Sequence, residues 1–262
     1  MNRLRSKIET WSRDRVLRRR LPADLGSRTL FVSPDASLRY WRRGLESVDE
    51  GLFDLARELV KPGERVWDIG ANVGLFTFAA AHLAGPKGSV LAVEADAWLA
   101  ALLRQTEALG AEAARVGVLC AAVSDTDGFA DFAIATRGRS TNHLTAVAGS
   151  TQTGGSRAVH PVATARLDTL LDRFGPPTLV KIDVEGAEAL CLRGGHRVLQ
   201  EVKPRLLCEV SSSNSSAVTD LLVSSSYKIF DASTVASSRR CLAQAPWATL
   251  ALPDPKVART SS

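Results

Sequence analysis

The sequence predicts an α/β fold, a doubly wound and mostly parallel sheet. Two observations carry that expectation. From residue 48 to residue 121, apolar stretches of strand length alternate with amphipathic stretches of helix length, and the first of those strands runs into a glycine-bearing turn that opens a helix. Composition agrees, since 262 residues at 45% hydrophobic and 23% charged suit one well-filled domain with additions.

Residues 1–45 read as a basic arm, partly helical. Leu4, Ile8 and Trp11 fall at helical spacing, and Arg18, Arg19 and Arg20 precede Leu21-Pro22. The first twenty residues hold eight Lys or Arg against Glu9 and Asp14, a segment charge of +6, so the formal net charge of +5 leaves −1 for the remainder. The basic balance is therefore local, and nucleic acid is not an expected partner. Arginines from Arg13 to Arg20 stand where a secretory signal would be apolar. The longest apolar run, residues 76–84, contains His82 and falls short of the ~20 residues a membrane span needs. A cytoplasmic protein is expected, with weak contact between the arm and a membrane surface as the one membrane association left open. Cys120, Cys191, Cys208 and Cys241 lack metal-site spacing and read as free thiols. Oligomeric state is not legible.

The main domain is expected over residues 46–255, with a tail at 256–262. Leu52, Leu55, Ala56 and Leu59 form one face of a helix over 48–60, which Lys61-Pro62-Gly63 ends. There follow a strand at 65–69, a helix at 74–83, a strand at 89–94, a helix at 97–109 and a strand at 116–121. A turn at 124–128 precedes alternating residues 129–134, an inserted β-hairpin. Residues 135–157, rich in Gly, Ser and Thr, read as a mobile loop, a lid in function. A strand at 158–163, a short helix from Asp168, a strand at 178–183, a helix at 186–192, a strand at 205–210 and a helix at 216–224 follow. Two apolar stretches, 227–230 and 247–252, suit a terminal antiparallel pair, and serines 211–216 a turn and helix cap.

The first strand–helix turn is Asp68-Ile69-Gly70-Ala71-Asn72-Val73-Gly74, where a doubly wound sheet binds its cofactor. Gly70 permits a sharp turn, and Gly74 lets helix and strand approach closely. A dinucleotide loop needs a glycine at the position of Asn72 so that backbone can meet pyrophosphate, which disfavours such a ligand and with it a nicotinamide dehydrogenase. Asp68 opens the loop, and Glu94, twenty residues beyond Gly74, ends the next strand where an acid meets ribose hydroxyls. Acids without basic phosphate ligands suit S-adenosylmethionine, a phosphate-free sulfonium.

At this point the chain resembles the FkbM-type methyltransferases, a branch of the class I S-adenosylmethionine enzymes. The likeness runs from about Lys61 to Glu209, through Pro62-Gly63, the Asp68 to Gly74 loop, Val93-Glu94, Ala122-Val123-Ser124-Asp125, Arg166-Leu167-Asp168-Thr169-Leu170, and Val180-Lys181-Ile182-Asp183-Val184-Glu185-Gly186-Ala187-Glu188. It implies a Rossmann-like sheet of seven strands with the last pair antiparallel, and O-methylation of a hydroxyl on a sugar, glycan or secondary metabolite. By matching position it implies that Asp68, Gly70, Asn72 and Gly74 line the methionine end, that Glu94 binds ribose, and that Ser124 and Asp125 lie near adenine. The chain departs from the family pattern at Cys120, Ser211 and Ser226.

Strand 178–183 delivers Asp183 and Glu185 to the carboxyl edge of the sheet beside the cofactor loop. Asp183 is the first candidate for general base, Glu185 the second, and His143 is a candidate if its loop closes on the acceptor. Either acid is also placed to cap the following helix. No metal is expected. Methylation of RNA or protein, and a cofactor-binding module without catalysis, are the competing readings.

Overall fold

The computed structural model describes residues 3–110, 113–147 and 154–255, with side chains from Lys7 onward. The expected tail at 256–262, the middle of the expected lid at 148–153, and the side chain of Leu4 lie outside the described residues.

Helix α1 spans Arg3–Ser12, and strands β1 (Leu17–Arg20) and β2 (Thr29–Val32) form a small antiparallel sheet. Helix α2 (Glu50–Leu59) leads into β3 (Arg65–Ile69), α3 (Leu75–Ala84), β4 (Ser89–Glu94), α4 (Ala97–Ala108) and β5 (Arg115–Cys120). An insertion follows: β6 (Ala122–Val123), β7 (Gly128–Ala135), β8 (His143–Leu144) and β9 (Ser156–Ala165). The chain then runs through α5 (Leu167–Phe174), β10 (Leu179–Ile182), α6 (Glu188–Arg193), β11 (Arg205–Glu209), α7 (Ser215–Ser224), β12 (Tyr227–Asp231) and β13 (Ala248–Pro253).

The main sheet has seven strands in the order β12-β13-β11-β10-β3-β4-β5. It is mixed, because β13 runs antiparallel to both β11 and β12 while the other pairings are parallel. Alternation along each strand explains why helices cover both faces. Val66, Val90, Leu179 and Leu207 pack with Phe53 of α2, Phe78 of α3 and Leu103 of α4. Their strand neighbours Trp67, Leu91, Val180 and Leu206 pack on the other face with Leu170 of α5, Leu192 of α6 and Leu222 of α7. Among the described residues, no helix is long and apolar enough to cross a membrane.

Four expectations change. Residues 17–45, read as part of an arm, join the domain core: Leu25, Leu30 and Val32 are fully buried in the cluster that α2, α3 and α4 share. Two of the basic residues are cross-ties rather than a free charged surface. Arg19 Nε donates to the carbonyl of Tyr40 at 3.0 Å, and Arg28 Nη2 donates to that of Thr106 at 2.9 Å.

The insertion is larger than a hairpin, a four-stranded sheet in the order β6-β9-β7-β8, with β7 and β9 as its long antiparallel pair. The loop expected at 135–157 is fastened at both described ends. A 3₁₀ turn at Arg139–Thr141 precedes β8, which pairs with β7, and β9 already begins at Ser156.

The helix after β10 starts later than expected because Glu185 and Gly186 both adopt positive φ, +45° and +98°, a turn no helix continues through.

Candidate active site

The carboxyl edges of β3, β4 and β10 meet at one cleft. Gly70 and Asn72 take left-handed backbone at φ +76° and +52°, turning the chain sharply between β3 and α3. The turn is tied to β4, since the N–H groups of Gly70 and Ala71 both donate to the Val93 carbonyl, at 2.9 and 3.0 Å. At Gly70 a Cβ would sit 1.8 Å from the Asp183 carbonyl oxygen, so glycine is what allows β10 to end this close to the loop. At Gly74 a Cβ would meet Leu103 and Phe78 at 2.6 Å. Gly74 thus serves packing between α3 and α4, and it is not part of the cleft wall.

Glu94 ends β4 with both carboxylate oxygens engaged. Oε2 accepts the N–H of Asn72 at 2.7 Å and Oε1 accepts that of Asp96 at 2.8 Å. Burial pushes its carboxyl up to about 7, those two backbone donors opposing the rise and the Asp96 and Asp183 charges adding to it. Asp96 in turn caps α4, accepting from the N–H of Trp98 at 2.9 Å.

Asp68 lies beneath the cleft rather than on its wall. It is fully buried, its Oδ2 accepts the Thr77 hydroxyl at 2.5 Å, and its Oδ1 faces Lys181 Nζ at 3.3 Å. Lys181 Nζ also lies 3.5 Å from Asp183 Oδ2. Burial lowers the Lys181 ammonium, but the Asp68, Asp183 and Glu209 charges more than offset it and hold the group above its ordinary value.

Asp183 and Glu185 stand on the wall facing Gly70 and Asn72. Burial raises the Asp183 carboxyl although Lys181 draws it down. Burial, with the Asp183, Glu209 and Glu188 carboxylates, pushes Glu185 up to about 8. Glu188 is satisfied otherwise: it accepts from the Gly186 N–H at 2.7 Å, the Ser211 hydroxyl at 3.0 Å and the Asn214 amide at 2.6 Å, which fixes the turn between β10 and α6.

The cleft, about 590 Å³ with its open mouth included, continues past Glu94 between Ala95 and Leu99 on one side and Phe132 and Leu144 on the other. Arg139 is the cation on its wall, and that charge is already neutralised. Its Nε donates to Asp35 Oδ2 at 2.8 Å and its Nη1 to Asp96 Oδ2 at 2.6 Å, while Arg157 Nη2 donates to the same Asp35 oxygen at 2.6 Å. Asn142 completes the lattice, donating to Asp96 Oδ2 at 2.8 Å.

Of the residues expected at the site, Gly70, Asn72, Glu94, Asp183 and Glu185 come together on one cleft. Asp68 and Gly74 support it from behind. Ser124 and Asp125 stand off the wall, Ser124 being held by its N–H to the Ala165 carbonyl at 3.0 Å. His143 is also off the wall: it precedes Leu144 in β8, and since strand neighbours point to opposite faces, the wall position of Leu144 turns His143 away. Its Nδ1 lies 3.2 Å from the Thr141 carbonyl. Phe132, Leu144, Arg139 and Asn142 were not foreseen, and only Asp96, an N-cap residue two positions past Glu94, offered a local signal. Among the described residues, no group of three or more His, Cys, Asp or Glu side chains is placed to hold a metal ion.

Comparison with known proteins places the chain in a family. No curated protein matches the chain. Solved structures similar to it include a methyltransferase FkbM from Methylobacillus flagellatus KT, 17% identical with a TM-score of 0.48, covering 76% of this chain and 50% of that one. The chain thus spans half the length of that protein. A precorrin-6y C5,15-methyltransferase from Geobacter metallireducens GS-15 is 12% identical with a TM-score of 0.43, covering 80% and 88% of the two chains. The model of the methyltransferase FkbM domain matches residues 68–229, more than half of the sequence and every residue on the cleft wall, from Ile69 to Ala187, and the chain belongs to the FkbM methyltransferase family.

Proposed function

We propose that the protein transfers a methyl group from S-adenosylmethionine to a hydroxyl of a sugar, glycan or secondary metabolite. The observation that carries the reading is Glu94 at the end of β4, buried and hydrogen-bonded to the Asn72 N–H, across the cleft from Asp183 and Glu185. An ionised carboxylate offers about four acceptor sites. Glu94 commits two to backbone, leaving acceptors for a pair of ribose hydroxyls. The apolar walls of Leu99, Phe132 and Leu144 suit a nucleoside base, and the neutralised Arg139 leaves no free cation on the wall for a phosphate. The donor set therefore fits a phosphate-free nucleoside with a positive centre.

S-adenosylmethionine, when bound, supplies an electrophilic methyl group on a sulfonium sulfur. The Gly70 to Asn72 turn holds the methionine end and Glu94 the ribose. Asp183 orients the acceptor hydroxyl and takes its proton, with Glu185 as the alternate base; burial raises both carboxyls, Glu185 to about 8, which makes each a stronger base than a solvated carboxylate. Alignment of the acceptor supplies much of the acceleration in such a displacement. A cytoplasmic setting accords with the free thiols Cys120, Cys191, Cys208 and Cys241.

Calorimetric titration with S-adenosylhomocysteine tests the donor half. Micromolar binding is expected, and absence of binding to the intact chain sinks the reading. Labelled-methyl transfer across a panel of hydroxylated acceptors tests the other half.

A further inference from the structure

A second cavity opens beside the first, between the start of α2, the carboxyl ends of β10 and β11 and the amino end of β13, enclosing about 610 Å³ with its mouth included. The partition between them is the pair already described: Lys181 lines the second cavity, Asp183 the first, and their charged atoms lie 3.5 Å apart. The walls are largely apolar, with Leu52 and Leu55 from α2 and Leu207 from β11. Trp247 stands on the same wall with 65% of its surface exposed, a large aromatic face that the fold leaves uncovered.

The polar side chains of this cavity do not balance. Its one lysine, Lys181, is engaged by Asp68 and Asp183. Against it stand Asp49, whose Oδ1 caps α2 through the Leu52 N–H at 3.1 Å, and Glu209, whose carboxylate accepts no hydrogen bond from a described residue. An anion entering here meets Asp49 and Glu209 with no free cation to receive it. A positive group meets two carboxylates and an aromatic face, both attractive to it.

We propose that this cavity is the acceptor chamber and that it takes a hydroxylated molecule bearing a protonated amine, an amino sugar or amino alcohol, with Glu209 and Trp247 as its specificity determinants. The proposal rests on the reading of the neighbouring cleft as the methyl-donor site, since it places the acceptor hydroxyl at the Lys181–Asp183 partition. Burial and the Asp183 and Asp49 charges, opposed by Lys181, push the Glu209 carboxyl up to about 7, so an arriving cation relieves an existing excess of negative charge.

Saturation-transfer difference NMR on the full chain tests it, at neutral pH with saturating S-adenosylhomocysteine and three probes: glucosamine, glucose and glucose 6-phosphate. Glucosamine should give the strongest signal and glucose 6-phosphate none. Trp247→Ala should lower the glucosamine signal about five-fold, the scale of one cation–π contact. Glu209→Gln should do the same while leaving glucose unchanged, with thermal melts confirming that both variants fold. Glucosamine and glucose signals of equal strength, a phosphate ester that binds as well, a glucosamine signal that survives both substitutions, or silence from all three probes overturns the proposal. Repeating the series without S-adenosylhomocysteine separates the two readings: loss of cofactor binding alone defeats the donor site, whereas glucosamine binding reports on the chamber by itself.

Discussion

The carboxylate of Glu94 accepts the backbone N–H of Asn72 at 2.7 Å, which fastens the end of β4 to the turn that leaves β3. One side chain thereby shapes the loop and faces the cleft. Glu94→Ala removes two charge-assisted acceptors from backbone donors, each worth about 1.5–3 kcal/mol. Affinity for S-adenosylhomocysteine should fall at least about a hundred-fold. Calorimetry checks this, and a variant that binds like the parent contradicts the role given to Glu94.

Asp68 and Lys181 are a buried pair, so removing one partner strands the other. Lys181→Met should destabilise the fold by about 3–5 kcal/mol, read from urea denaturation. Combining it with Asp68→Asn should restore most of that loss. A single substitution without effect would mean that the 3.3 Å contact contributes little.

Stability should fall as pH rises through neutrality. Glu94 and Glu209 are held at about 7 and Glu185 at about 8 in the fold, all above the ordinary 4.5. Between 4.5 and those values the folded chain retains protons that the unfolded chain has released, so the contribution is lost on going up in pH and is constant above about 8. Melting temperatures of the ligand-free protein across that window should decline, and Glu185→Gln, which removes the group facing Asp183, Glu209 and Glu188, should flatten the upper part.

Asp183→Asn should leave S-adenosylhomocysteine affinity near that of the parent while methyl transfer drops by about 10²–10⁴-fold, the usual contribution of a positioned base. Equal turnover in the variant would shift the assignment to Glu185, whose Gln variant should then remove the alkaline dependence of the rate near its value of about 8.

The parallel core was legible because β3, β4, β10 and β11 are apolar runs with turns between them, and Gly70, Asn72, Glu94 and Asp183 were legible because each sits at a strand end. What escaped depends on distance along the chain. Asp68 looks like a ligand-facing acid until register places it opposite Lys181, a partner more than a hundred residues later that turns it into a buried ion. Phe132 and Leu144 belong to an insertion whose alternation says only that it is strand, not what it leans on. Leu25 and Leu30 carry no period because the backbone around them is short turns and a four-residue strand, so their burial could not be read from spacing.

Asp35 receives both Arg139 and Arg157, the latter 122 residues away, and it stands well before residue 68, where the family's shared region begins. A fragment cut to residues 68–229 would retain the two guanidinium groups, side chains 13% and 16% exposed, but lose Asp35, leaving Arg139 with Asp96 alone. The cleft wall is therefore a joint product of the shared region and the chain ahead of it. Trimming the first 45 residues would remove, along with Asp35, the side chains of Leu25, Leu30 and Val32, which share a buried cluster with Ala71 and Val73 of the cofactor loop.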